Sequence, residues 1–86
     1  MDEEKAKIIG QNLDPLVRIG KKGITEGIIE EINRHLDDRD LIKIKVLRNN
    51  PIQDIDQVGE KLEEVTIGKV MEIKGKTILL LNEEEF

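Results

Sequence analysis

The chain has 86 residues, 37% of them hydrophobic and 38% charged, with 14 Lys+Arg against 19 Asp+Glu for a formal net charge of -5. One small domain is the expectation, and a domain of this size buries only about 60% of its unfolded surface, which leaves little stability to spare. The absence of Cys excludes disulfides and thiolate metal sites, and the periodic segments are too apolar for disorder yet too interrupted by charge for a membrane span.

The opening MDEEKAKII is acidic where a secretory leader is basic, and it has no long apolar core, so a cytoplasmic location is expected. Glu3 to Gln11 carries a weakly amphipathic helical pattern around Ala6, Ile8 and Ile9, closed by Gly10 and Asn12. Pro15 biases Asp14 toward extended geometry. Leu16 to Ile19 then reads as a strand, with Val17 and Ile19 on one face and Leu16 and Arg18 on the other. Thr25 can cap the next helix, Glu26 suits its first turn, and Ile24, Ile28, Ile32 and Leu36 form an inward stripe that ends near Asp37. LIKIKVL, residues 41–47, alternates strictly, with Ile42, Ile44 and Val46 facing one way and Lys43 and Lys45 the other. Asn49, Asn50 and Pro51 mark a turn, after which Ile52, Ile55, Val58, Leu62 and Val65 continue a helical stripe. Lys69 to Ile73 and Thr77 to Leu81 are apolar runs separated by Lys74, Gly75 and Lys76, the pattern of a hairpin.

The predicted order is therefore α-β-α-β-α-β-β, an α/β fold occupying 1–86 as one domain with an acidic tail at 83–86. Strand-helix-strand units cross over right-handed in almost all proteins, so the first three strands fit one mixed sheet that the terminal hairpin completes. The helices that follow the first and second strands must cover the same sheet to bury their stripes.

Charge is distributed unevenly along this plan. Residues 1–48 hold 10 Lys+Arg and 10 Asp+Glu, whereas residues 49–86 hold 4 and 9, so the whole acidic excess lies in the second half. Two acid-free cationic islands remain: Leu16 to Ile24 with Arg18, Lys21 and Lys22, and Leu41 to Arg48 with Lys43, Lys45 and Arg48. The first includes Gly20-Lys21-Lys22-Gly23, the connection from a strand into a helix N-terminus, where unpaired N–H groups and the helix dipole favour anions. Glycines there let a sugar-phosphate chain come close, while lysines attract phosphate without reading base identity. Gly23 is expected to be the position of phosphate approach and Gly20 to serve the turn.

LDPLVRIGKKGITEGIIEEI, followed by RDLIKIKV and then GKVMEIKGKTILLL, resembles the CRM domain, the chloroplast RNA splicing and ribosome maturation module, over nearly the whole chain. The likeness is to its stand-alone, single-domain members. It implies a fold similar to the C-terminal domain of bacterial translation initiation factor three, a mixed four-stranded sheet packed with helices. It also implies RNA binding. Stand-alone members of the family are associated with precursors of the large ribosomal subunit, and plant members with several copies assist intron splicing. The contact surface so implied comprises Gly20, Lys21, Lys22 and Gly23 with the neighbouring Arg18, Thr25, Lys43 and Lys45. The chain departs from the family at Asp14, where lysine is usual, and at Leu81 and Asn82, where tyrosine and arginine often stand before the EEEF ending.

The only aromatic residue is Phe86, which leaves base stacking nearly unavailable and points to recognition of backbone and shape. His35 lies on a helix without neighbouring ligands, and Glu30, Glu31, Glu63 and Glu64 read as solvated helix positions. GKKGIT lacks the spacing of a nucleotide-binding P-loop. No nucleophile, base and orienting group come together, so neither an enzyme nor a cofactor or metal is expected. The functional expectation is a non-enzymatic protein whose partner is ribosomal RNA or a pre-ribosomal particle. The alternative is an adaptor of the same fold whose acidic second half binds basic, for example ribosomal, proteins.

Overall fold

A computed structural model describes residues 1–86. The elements are α1 (Glu3–Gly10), β1 (Pro15–Ile19), α2 (Glu26–Arg39), β2 (Leu41–Val46), α3 (Ile55–Val65), β3 (Gly68–Lys74) and β4 (Thr77–Asn82), with a terminal 3-10 turn at Glu83–Glu85. Each helix begins where a short polar side chain takes an orphan N–H. Asp2 accepts from Lys5 N at 2.8 Å, Thr25 from Ile28 N at 3.2 Å and Asp54 from Asp56 N at 2.9 Å, each a cap worth about 1 kcal/mol.

The third helix starts later than its apolar stripe suggests. Asn50 donates its side-chain amide to the Ile52 carbonyl, and Gln53 donates to the Asn50 carbonyl at 3.2 Å. Side-chain amides that engage nearby carbonyls hold the backbone in a turn, so Ile52 packs on the core from outside the helix. At the other end of the same argument, α2 runs two residues past Asp37 because Asp40, at φ 64°, closes it with its N–H on the Leu36 carbonyl.

The sheet order is β1-β2-β4-β3, with β1 parallel to β2 and the other neighbours antiparallel. Strict alternation sends Val17, Ile19, Ile42, Ile44, Val46, Ile78 and Leu80 to one face, where Ile32 and Leu36 of α2 and Val58 and Leu62 of α3 complete the main core. Burying each such side chain contributes about 1.5–3 kcal/mol. On the opposite face α1 sets Ala6 against Leu41, Met71, Leu79 and Leu81, with Leu13 at the margin. A Cβ on Gly10 would lie 2.6 Å from Leu79 Cδ2, so this close approach of helix to sheet depends on glycine.

α1 covers only part of its face. The remainder, toward the C-terminal ends of β1 and β2, stays open. The acidic tail at 83–86 stays exposed but is tied back: Glu83 N donates to Ile67 O at 2.9 Å, the terminal ammonium of Met1 donates to Glu85 O at 2.6 Å, and the Lys69 ammonium lies 4.6 Å from the Phe86 ring centroid. Backbone pairing and a cation-π contact order residues whose side chains alone would favour solvent.

Candidate nucleic-acid interface

The Gly20–Gly23 connection is a tight turn closed by the Gly23 N–H donating to the Gly20 carbonyl at 2.9 Å. Lys21 and Lys22 at its tip are exposed. Gly23 is buried at φ +70°, with Pro51 Cγ 3.2 Å from where a Cβ would stand. The turn, expected from sequence to suit Gly20, thus rests on Gly23. Gly23 supplies the left-handed conformation and the close packing, and its N–H is already used, whereas a Cβ on Gly20 would make ordinary contact with Leu47 at 3.4 Å.

The anion-attracting donors lie around Gly23 rather than on it. Thr25 caps Ile28 N, and the N–H groups of Lys21, Lys22, Ile24, Thr25, Glu26 and Gly27 have no acceptor within the protein. Gly20, Lys21, Lys22, Gly23, Thr25 and Ile28 line a shallow depression at this point. It combines a helix N-terminus with two exposed point charges, a suitable seat for a phosphate.

Topology then gathers the other cations beside the loop. Because β1 and β2 are parallel, their C-terminal ends, Gly20 onward and Leu47-Arg48 onward, emerge at the same end of the sheet. β4 runs antiparallel to β2, so the β3–β4 turn with Lys74, Gly75 and Lys76 arrives there too. Val46 N donates to Lys76 O at 2.8 Å across this end.

On the open face, register aligns one row across all four strands: Arg18 opposite Lys45, Lys45 opposite Thr77, and Thr77 opposite Lys74. The next row places Lys43 opposite Leu79, which is opposite Glu72. Gln11, Lys43, Glu72, Lys74, Thr77 and Leu79 line a cleft beside the end of α1. Arg18 and Lys45 are exposed and Lys43 is half-buried. None of Arg18, Lys21, Lys22, Lys43, Lys45, Arg48, Lys74 or Lys76 forms an ion pair; the pairs present are Lys7–Glu3, His35–Glu31 and Arg39–Asp38.

The structure therefore brings Arg18, Lys43 and Lys45 onto one face and the Gly20–Gly23 loop with Thr25 onto its adjoining end. The candidate residues read from sequence omit Lys74, Lys76 and Arg48. The signal for the first two was the KGK turn, but only the β2–β4 pairing shows that this turn lies beside Lys45.

Most acids lie elsewhere, although on the open face Glu72 lines the same cleft as Lys43 and Lys74. Asp37, Asp38 and Asp40 at the α2–β2 junction, Glu63 and Glu64 at the end of α3, and Glu83 to Glu85 after β4 share the opposite end, where Asn82 N donates to Asp40 O at 2.7 Å. Glu26, Asp54 and Asp56 do lie toward the loop end, but in the first turns and caps of the helical layer, where the dipole favours them. The cationic surface is thus confined to the loop, the hairpin turn and the open sheet face.

The model of the CRS1 / YhbY (CRM) domain matches residues 2–81. A Methanocaldococcus jannaschii protein named "Probable RNA-binding protein" is 32% identical over 95 residues, covering 98% of this chain and 70% of its own. A Bacillus subtilis protein of the same description is 32% identical over 74 residues, covering 86% of this chain and 76% of its own. The chloroplastic group IIA intron splicing facilitator CRS1 of Zea mays is 32% identical over 78 residues, 88% of this chain but only 11% of the plant protein. Among solved structures, a hypothetical Staphylococcus aureus protein thought to bind RNA superposes with a TM-score of 0.78 at 34% identity, over 93% of this chain and 82% of the other.

Proposed function

The chain belongs to the CRS1 / YhbY (CRM) domain family, and on that premise we propose that it is a non-enzymatic RNA-binding protein. Its target is ribosomal RNA or a precursor of the large ribosomal subunit, met in the cytoplasm. The observation that carries this reading is the convergence of unpaired cations on the Gly20–Gly23 loop and the open sheet face, beside a helix N-terminus with free N–H donors. Relatives named as RNA-binding proteins support the same reading. In this proposal Lys21 and Lys22 contact phosphate, the N–H groups of the turn and first helical turn donate to phosphate oxygens, and Arg18, Lys43 and Lys45 extend the track across the sheet.

The test is titration of a structured ribosomal RNA fragment across a salt series, with the parent and the Lys21→Ala/Lys22→Ala variant. Each lost phosphate contact removes roughly 0.7–0.9 from the slope of log affinity against log salt, so the variant should lose roughly 1.4–1.8 of slope while melting at the parent's temperature. Unchanged affinity and slope in a folded variant would sink the loop assignment. Failure of the parent to bind RNA, with capture of a basic ribosomal protein through the acidic end, would favour the adaptor reading instead.

A further inference from the structure

We propose that the RNA this protein takes is base-paired, and that it is held by phosphates of both strands, one on the loop and the other on a row running from Arg18 through Lys45 to Lys74 with Lys76 beside it. The inference rests on the RNA-binding reading above and specifies its ligand. It begins from an unusual feature of the sheet. Arg18 and Lys45 are direct cross-strand partners of like charge, and Lys74 stands two strands further on in the same row.

Like charges placed opposite one another on a sheet destabilise it, and no acid pairs with either residue. Glu72, the one acid lining this cleft, belongs to the next row, opposite Leu79. A row whose internal repulsion is left uncompensated is suited to a polyanion. At about 4.8 Å between strands, the row extends about 14 Å from Arg18 to Lys74, and Lys43 adds a second contact about 7 Å back along β2.

The chemistry of this face distinguishes paired from unpaired RNA. Proteins that hold single strands on a sheet stack bases on aromatic side chains, at roughly 1–3 kcal/mol per base. The open face here offers Arg, Lys, Thr, Glu and aliphatic groups only, and the single aromatic residue, Phe86, sits with the acids at the far end of the molecule. Unpaired bases laid on this surface would gain little and would give up stacking with one another. A helix, by contrast, presents its phosphates outward with its bases already satisfied, and is recognised by shape and backbone contacts. The cations occupy two surfaces that meet along the end of the sheet, so they can reach the backbones on either side of a groove.

The experiment compares a mixed-sequence RNA duplex of about 20 base pairs, long enough to exceed the roughly 16 base pairs that known duplex-binding domains cover, with an unstructured single strand of the same length. The parent and two variants are used, Lys45→Gln/Lys74→Gln and Lys74→Gln/Lys76→Gln, the second confined to the exposed end of β3 and the turn after it. The parent should bind the duplex at least tenfold more tightly than the single strand. Both variants should lose duplex affinity by tenfold or more, with the salt slope reduced by roughly 1.4–1.8, and single-strand binding should change by less than threefold. Removing Lys45 also removes repulsion with Arg18, so the first variant should melt no lower than the parent, an outcome that a structural role for Lys45 would reverse. Equal or tighter binding of the single strand, or parental duplex binding by both variants, overturns the inference. If the parent binds a ribosomal fragment but not the duplex, only this inference fails; if it binds neither, the RNA-binding reading fails with it.

Discussion

Three glycine-to-alanine substitutions separate the conformational role of the loop from its charge. Gly23 and Gly75 both have positive φ, +70° and +59°, but a Cβ on Gly75 meets nothing within 4 Å, while one on Gly23 lies 3.2 Å from Pro51 Cγ. The left-handed conformation costs a non-glycine residue about 1–2 kcal/mol. Gly75→Ala should lose about that much and Gly23→Ala about 2–3 kcal/mol, the excess being the displacement of Pro51 from tight contact. Gly20 has no positive φ, and its Cβ would make ordinary contact with Leu47, so Gly20→Ala should be neutral or gain a few tenths from a less flexible unfolded chain. For 86 residues the unfolding entropy is about 180 cal/mol/K, and 1 kcal/mol corresponds to about 5 °C in melting temperature. Thermal unfolding should therefore rank Gly20→Ala with the parent, Gly75→Ala about 5–10 °C lower, and Gly23→Ala about 10–15 °C lower. Adding Pro51→Ala to Gly23→Ala should show a favourable coupling of about 0.5–1 kcal/mol in a double-mutant cycle. Equal melting of the Gly23 and Gly75 variants, with no coupling to Pro51, would refute the packing argument.

Two further substitutions test how the interface is supported. Thr25→Ala removes the side-chain oxygen that accepts from Ile28 N; stability should fall by about 1 kcal/mol, and Thr25→Ser should restore it, as read by chemical denaturation. Gly10→Ala forces a methyl to within 2.6 Å of Leu79 Cδ2; the result should be a loss of about 1–3 kcal/mol with faster amide exchange confined mainly to α1, whereas uniform exchange across the sheet would mean that α1 is not a separately docked layer.

Most elements were legible because their patterns had a period and a boundary. The alternation of LIKIKVL determined which face of β2 is buried, and Thr25 ahead of the Ile24, Ile28, Ile32 and Leu36 stripe marked both the start and the inward side of α2. The start of α3 was misread for a local reason: Asn50 and Gln53 engage carbonyls in the preceding turn, and an apolar stripe contains no record of side-chain competition for the backbone. The part of Gly23 in the turn was missed because the deciding contact, with Pro51, comes from a segment 28 positions away. Lys74 and Lys76 were missed as candidates for a related reason. Along the chain they belong to the acidic half, and only the antiparallel pairing of β4 with β2 carries their turn to the cationic end.

That pairing also resolves the apparent conflict between an acidic chain and a polyanionic ligand. Net charge governs interaction at distances where the molecule acts as a point, but at physiological salt fields decay over about 8 Å, and the two ends of β2, Leu41 and Val46, are about 17 Å apart at about 3.4 Å per residue. A phosphate at the Gly20–Gly23 loop, as proposed above, would lie beside Lys21 and Lys22 and be largely screened from Asp37, Asp38 and Glu83 to Glu85 at the other end. The segregation follows from topology. Two parallel strands bring their C-terminal connections together, and an antiparallel hairpin adds its turn, so cationic segments distant in sequence converge. The acids follow the same rule in reverse, at the α2–β2 junction, the end of α3 and the end of β4. In the binding mode proposed above, the acidic end would disfavour every orientation in which RNA approaches from that side, and so restrict productive encounter to the loop and the open face of the sheet.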